Sequence, residues 1–122
     1  MVVLGVAACG EQGPEEVAET LSKAAYECGE DGAGVIYDQT LPSTREITRE
    51  EAIAQERRQG CKPKERPPTE IVLICEQSDQ AVVDSRSTED RDADVYVKTE
   101  DGWLLDPDTN TTDVCGPGAP RG

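Results

Sequence analysis

The side chains available for chemistry are carboxylates, hydroxyls and thiols: 122 residues include 26 Asp and Glu, five Cys and three Tyr, and no His. Without His there is no Ser-His or Cys-His nucleophile pair, no HExxH zinc site and no imidazole pH switch. The remaining catalytic vocabulary is carboxylate, Tyr, Lys and Cys. Two strings, Asp90-x-Asp92-x-Asp94 and Asp106-x-Asp108-x-Asn110, put oxygen ligands at alternate positions, as a calcium loop does. Val95 and Thr111 stand where such a loop needs Gly, Pro107 interrupts the second string, and neither carries a Glu at the twelfth position. Both read as solvated acidic loops. Cys28, Cys61, Cys75 and Cys115 contain no CxxC pair and have no His beside them, so zinc is not expected either. No metal, no cofactor and no catalytic residue is therefore assigned.

The fifth cysteine has a different setting. Met1 to Ala8 is apolar and uncharged, and after Cys9 the chain turns polar at Gly10-Glu11-Gln12-Gly13-Pro14. Val6-Ala7-Ala8-Cys9 resembles the lipobox that closes a bacterial lipoprotein signal peptide: an aliphatic residue, two small residues and Cys. The resemblance implies that the Cys9 thiol takes a diacylglyceryl group and becomes the first residue of the mature protein. Two or three acyl chains then hold the chain on the extracytoplasmic face of the membrane. A full signal has a charged leader and about 7–15 apolar residues. No Lys or Arg precedes Cys9, so a start upstream of Met1 is expected. On its own chemistry, residues 2–8 would instead be a buried strand with Cys9 as a small core residue. No stretch approaches the ~20 apolar residues of a spanning helix.

Setting Cys9 aside leaves four cysteines in a compartment where disulfides persist. Three pairings are open. Cys28 and Cys61 fall at predicted helix ends, which favours Cys28–Cys61 and leaves Cys75–Cys115 to tie the tail to the sheet. Such staples suit a chain whose aromatic side chains are limited to Tyr26, Tyr37, Tyr96 and Trp103.

The formal net charge is −14. That excludes nucleic acid and anionic headgroups as natural partners, because affinity for phosphate comes from Lys and Arg. Residues 45–66 nevertheless hold seven of the twelve bases, whereas residues 76–113 hold twelve acids against three bases. The basic stretch would suit an acidic protein partner or a second copy of the chain. Its plainer reading is a solvated helix with weak Glu–Arg pairs.

The elements that must position these groups follow from periodicity. Val17, Leu21, Ala24, Ala25 and Cys28 lie at helical spacing behind Pro14, and Gly29 stops the helix. Residues 30–38 read as a short, glycine-weakened helical turn. Thr48-x-x-Glu51 is a capping box for a second helix that ends at Gly60. Pro63, Pro67 and Pro68 make the following stretch a linker. The period then becomes that of strands: Ile71 to Cys75, Ala81 to Val83, Val95 to Val97, and Trp103 to Leu105, with Asp101-Gly102 as a hairpin signal. The fold expected is α+β, with N-terminal helices packed on an antiparallel sheet of about four strands. Residues 1–9 are read as a signal remnant, 10–13 as a tether, 14–108 as the domain and 109–122 as an irregular tail.

The order of helix, Leu41-Pro42-Ser43, Glu46-Ile47-Thr48-Arg49-Glu50-Glu51 and strands ending in Asp101-Gly102-Trp103-Leu104-Leu105-Asp106 resembles small NTF2-like domains of bacterial lipoproteins. That likeness covers about residues 14–108. It implies a curved sheet wrapping the helices into a cone, with Tyr37, Asp38, Tyr96 and Trp103 as cone-lining candidates. Isomerases and dehydratases of that family use Asp with Tyr inside the cone, parts that Asp38 with Tyr37 or Tyr96 would take. The expectation is nevertheless a binding or scaffolding module at the cell envelope; a small-ligand carrier or lyase/isomerase-type enzyme is the alternative. The chain departs from the family in lacking Phe and in its charged stretch from Ser85 to Asp92.

Overall fold

The computed structural model describes residues 12–89 and 91–120. Cys9 and the lipobox, like Asp90, lie outside the described residues. Helix α1 spans Pro14–Glu27. It starts where the Gly13 N–H donates to Glu16 Oε1 at 3.0 Å, and Glu15 and Glu16 sit at the positive end of its dipole. It breaks at Cys28, whose φ of 42° lies in the left-handed region, and Gly29 at φ 73° continues the turn. Helix α2 follows at Gly29–Asp38, and a single 3-10 turn occupies Pro42–Thr44. Helix α3 covers Arg49–Gln59. The expected capping box is present: Thr48 Oγ1 accepts from the Glu51 N–H at 3.1 Å, and the Thr48 N–H donates to Glu51 Oε1 at 3.0 Å. Gly60 closes α3 in the left-handed region.

Strands β1 (Glu70–Gln77), β2 (Gln80–Arg86), β3 (Arg91–Thr99) and β4 (Gly102–Asp106) form one antiparallel meander in the order β1-β2-β3-β4. A bulge near Ile74 shifts the β1–β2 register. The chain is thus α+β. Alternation divides the sheet into two apolar faces. On one, Val17 and Ala18 of α1 pack with Ala81, Val83, Tyr96 and Trp103. On the other, Val82, Ala93 and Val95 meet Val114. Residues 39–41 run beside β4: the Leu105 N–H donates to Gln39 O and the Leu41 N–H to Leu105 O, each at 2.8 Å.

Three expectations change. The glycine-rich stretch is a ten-residue helix rather than a short turn. The physical reason lies in its crossing with α1: a Cβ at Gly32 would fall 2.7 Å from Ala24 O, so the glycine permits close packing that a larger residue would block. The tail from 109 to 122 is not wholly irregular. Helix α4 at Thr111–Cys115 buries Thr111 and Val114 and covers the second sheet face. Finally, the hairpin loop is Glu100-Asp101, with Thr99 paired to Gly102. Gly102, at φ 98°, therefore opens β4 rather than sitting in the loop.

The disulfides are Cys28–Cys61 and Cys75–Cys115, the pairing that the helix ends favoured. The first joins the α1–α2 junction to the segment after α3; the second fixes α4 to β1. Because α4 has only five residues, it cannot hold itself together without that bridge. Replacing Cys75 and Cys115 together by Ser is expected to lower stability by about 2–4 kcal/mol. The same change should speed amide exchange at residues 111–115, and unchanged exchange there would refute the staple's role.

Candidate functional site

α1 reaches the sheet unequally along its length. Its first half seats Val17 and Ala18 in the core, whereas its second half presents Ser22, Ala25 and Tyr26 to a cleft of about 360 Å³. Ala18, Ser22 and Ala25 are too small to fill the space between helix and strands, and the chain has no Phe to do so. Ile36 of α2 and Leu21 complete the apolar wall, while Leu105 of β4 lies in the sheet across from them, paired with Tyr96. The opposing wall is polar: Ser85 of β2 and Asp92, Asp94 and Tyr96 of β3. Alternation puts Asp92, Asp94 and Tyr96 on one sheet face, and Ser85 pairs with Asp92 across the ladder.

The rim comes from the proline-rich segment between α3 and β1. Arg66 clamps it to α1 through two hydrogen bonds to Glu19, at 2.7 and 2.9 Å, and one to Ser22 Oγ at 3.0 Å. The same guanidinium holds Glu19 below the usual carboxylate range, so the clamp is intact at neutral pH and weakens as acid protonates Glu19. The Lys64 N–H donates to Tyr26 O at 3.1 Å. Its ammonium lies 5.4 Å from the Tyr26 ring centre and 3.7 Å from Glu89.

The two faces of the sheet treat buried carboxylates differently. Asp84, fully buried, accepts at Oδ2 from Arg86 Nε and Arg91 Nε, both at 2.8 Å. Its Oδ1 has no hydrogen-bond partner among the described residues. Among those residues no Lys or Arg forms a salt bridge with Asp92 or Asp94. Burial, followed by the charges of Asp92 and Asp84, pushes the Asp94 carboxyl up to about 6. Burial, and then the carboxylates of Asp94 and Asp92, raise the Tyr96 phenol too, keeping it a neutral hydroxyl at physiological pH. The cleft therefore combines a carboxyl that titrates near neutrality with a phenol that does not.

Of the four cone-lining candidates, Tyr96 lines this cleft. Trp103 is buried in the core beside it, on the same sheet face. Tyr37 and Asp38 point elsewhere: the Tyr37 hydroxyl donates to Ile47 O at 2.8 Å beneath the Arg45 guanidinium, and Asp38 makes a two-point ion pair with Arg49. Asp92 and Asp94, expected in a solvated loop, lie in β3. Pairing of Arg86 with Arg91 extends the ladder through them, so they belong to a strand. The signal was the alternation Asp92-x-Asp94-x-Tyr96, masked by the acidic composition. In the second acidic string, Asp106 is buried and accepts from the Asp108 N–H at 3.0 Å and the Thr109 hydroxyl at 2.6 Å, which shapes the turn into α4. Among the described residues the one group with metal-ligand spacing is Cys28, Glu56 and Cys61, and both of its sulfurs are in a disulfide. The basic stretch is largely used internally: Arg45, Arg49, Arg57, Lys64 and Arg66 all have partners within the chain.

No protein-family model, curated protein or solved structure matches the chain.

Because the Asp94 carboxyl is raised rather than lowered, it weakens the fold when it ionises: the cost is absent at acid pH and grows as pH rises through about 6. Asp94→Asn is therefore expected to raise the melting temperature by several degrees at pH 7.5 and to leave it unchanged at pH 4. Equal melting curves at pH 7.5 would show that the carboxyl is not strained by burial.

Proposed function

We propose that the chain is a lipid-anchored, extracytoplasmic bacterial binding module with an NTF2-like domain, and that the cleft beneath α1 is its binding element. The observation that carries the binding reading is the cleft itself, apolar on one wall and, on the other, holding Asp92 and Asp94, which make no salt bridge among the described residues, beside Tyr96. A few convergent polar groups in an otherwise apolar concavity are what a small-molecule site requires. Its volume of about 360 Å³ suits a small ligand. Docking of a protein through the basic stretch is less favoured, since most of those cations are already paired.

The envelope address rests on the lipobox-like Val6-Ala7-Ala8-Cys9 and on two disulfides, which are compatible with an extracytoplasmic location. No helix among the described residues is long and apolar enough to cross a membrane, so attachment would fall to the acyl chains. Support for the NTF2-like reading is the order of elements, with three helices preceding a four-stranded meander and a cavity between α1 and the sheet.

A lyase or isomerase reading takes second place on one observation. A carboxyl titrating at about 6, two residues from a neutral phenol, is suited to moving a proton near neutral pH. Binding is preferred because, among the described residues, no hydrogen bond joins the Asp94 carboxyl to the Tyr96 hydroxyl into an acid–base pair.

Two measurements test the proposal. Expressed with its native upstream sequence, Cys9→Ser should move the protein from the membrane to the soluble envelope fraction, and unchanged fractionation would sink the anchor. Titration of the disulfide-intact domain with 2-phenylethanol, a small neutral probe, should shift backbone amides at residues 18–26 and 85–96. Shifts scattered over the surface, or none, would remove the cleft as the binding element.

A further inference from the structure

We propose that the cleft is a site for small organic cations, an ammonium group carried on an apolar body, with Asp94 and Asp92 taking the charge and the α1 wall taking the body. This rests on the cleft being the binding element.

The first argument is charge accounting. A carboxylate removed from water needs a compensating cation or several hydrogen bonds. The fold supplies this on one sheet face, where two arginines meet Asp84. On the other it buries part of Asp94 next to Asp92 and gives neither an ion pair among the described residues. An incoming ammonium would complete the cleft as Arg86 and Arg91 complete Asp84.

The groups facing Asp94 point the same way. Its own strand contributes Asp92 and Tyr96, β2 contributes Ser85 and the loop after it Ser87, α1 contributes Tyr26, and α2 and β4 offer the uncharged Ile36 and Leu105. Behind the sheet, Asp84 adds negative potential. Among the described residues Lys64 is the one cation lining the cleft, and it is engaged at the rim by Glu89 and the Tyr26 ring. A tyrosine ring face that accepts the Lys64 ammonium is equally suited to an ammonium ligand.

The second argument is shape. The helical wall across from the carboxylates is built of Ala18, Leu21, Ala25 and Ile36, and Leu105 adds an apolar patch beside Tyr96 in the sheet, so a bare metal ion would leave these surfaces unused. A cavity of about 360 Å³ sits near the lower end of ligand sites, which selects a single ring or a short chain.

The test uses three probes with one body: phenethylammonium, 2-phenylethanol and 3-phenylpropionate, titrated into the disulfide-intact domain at pH 7.5 and followed by amide shifts. The ammonium is expected to bind about tenfold more tightly than the alcohol, and the carboxylate more weakly than either. Its affinity should fall as the pH drops through about 6, where Asp94 takes up a proton, with no such change for the alcohol. Asp94→Asn should bring the ammonium's affinity down to about that of the alcohol, and Asp92→Asn should weaken it less. Equal binding of ammonium and alcohol, or a preference for the carboxylate, would overturn the cation site while leaving the cleft as a binding element. Binding of none of the three would overturn both.

Discussion

Everything in this small domain hangs on how α1 lies against the inner face of β2 and β3. Val17 and Ala18 seal one end with Ala81, Val83, Tyr96 and Trp103. Beyond that seal the helix carries small side chains, so its path is set less by direct packing than by what holds its far end. Three devices do so. Gly32 lets α2 cross close to Ala24, the Cys28–Cys61 bridge ties the helix junction to the end of α3, and Arg66 clamps the proline-rich segment to Glu19 and Ser22. With the far end held, the space beneath it persists instead of collapsing, and a lean core becomes a cleft.

That cleft is where the electrostatics are least settled within the chain. A protein of net charge −14 has few cations to spare, and two of them, the partly exposed Arg86 and the exposed Arg91, are committed to Asp84. Asp94 on the opposite face is left with burial and like charge, and the fold tolerates the cost. Sites that give up stability in this way are characteristic of function. Strain at Asp94 and the unfilled volume beside it are two consequences of one arrangement, and a ligand with an apolar body and a positive head would relieve both.

Local signals were the most legible part. Pro14 with Gly29, the Thr48 to Glu51 capping box with Gly60, and the apolar runs of the four strands each depend on neighbours within a few residues, and the elements lie where these signals put them, except that β3 begins at Arg91 rather than at Val95. The α2 stretch was underestimated because three glycines lower intrinsic helicity, while the benefit of Gly32 exists only against α1. The short α4 could not be read at all, since five residues form no stable helix without the sheet and Cys75. The candidate site was legible by half. Of the cone-lining candidates Tyr96 lines the cleft, whereas Asp92 and Asp94 beside it belong to a string whose acidity resembles that of a solvated loop.

The sequence by itself determined the class of the fold, the lack of His side chains, a formal net charge of −14, the lipobox-like Val6-Ala7-Ala8-Cys9 and an even set of four cysteines to staple the domain. These follow from composition and short-range spacing, which the chain carries whether folded or not. Only the tertiary structure decided which carboxylates are solvated and which are not. Asp38 and Asp94 look alike as residues, yet one meets an arginine from the next helix and the other faces an apolar wall. That difference belongs to contacts between segments far apart in the chain, where a local pattern has no reach.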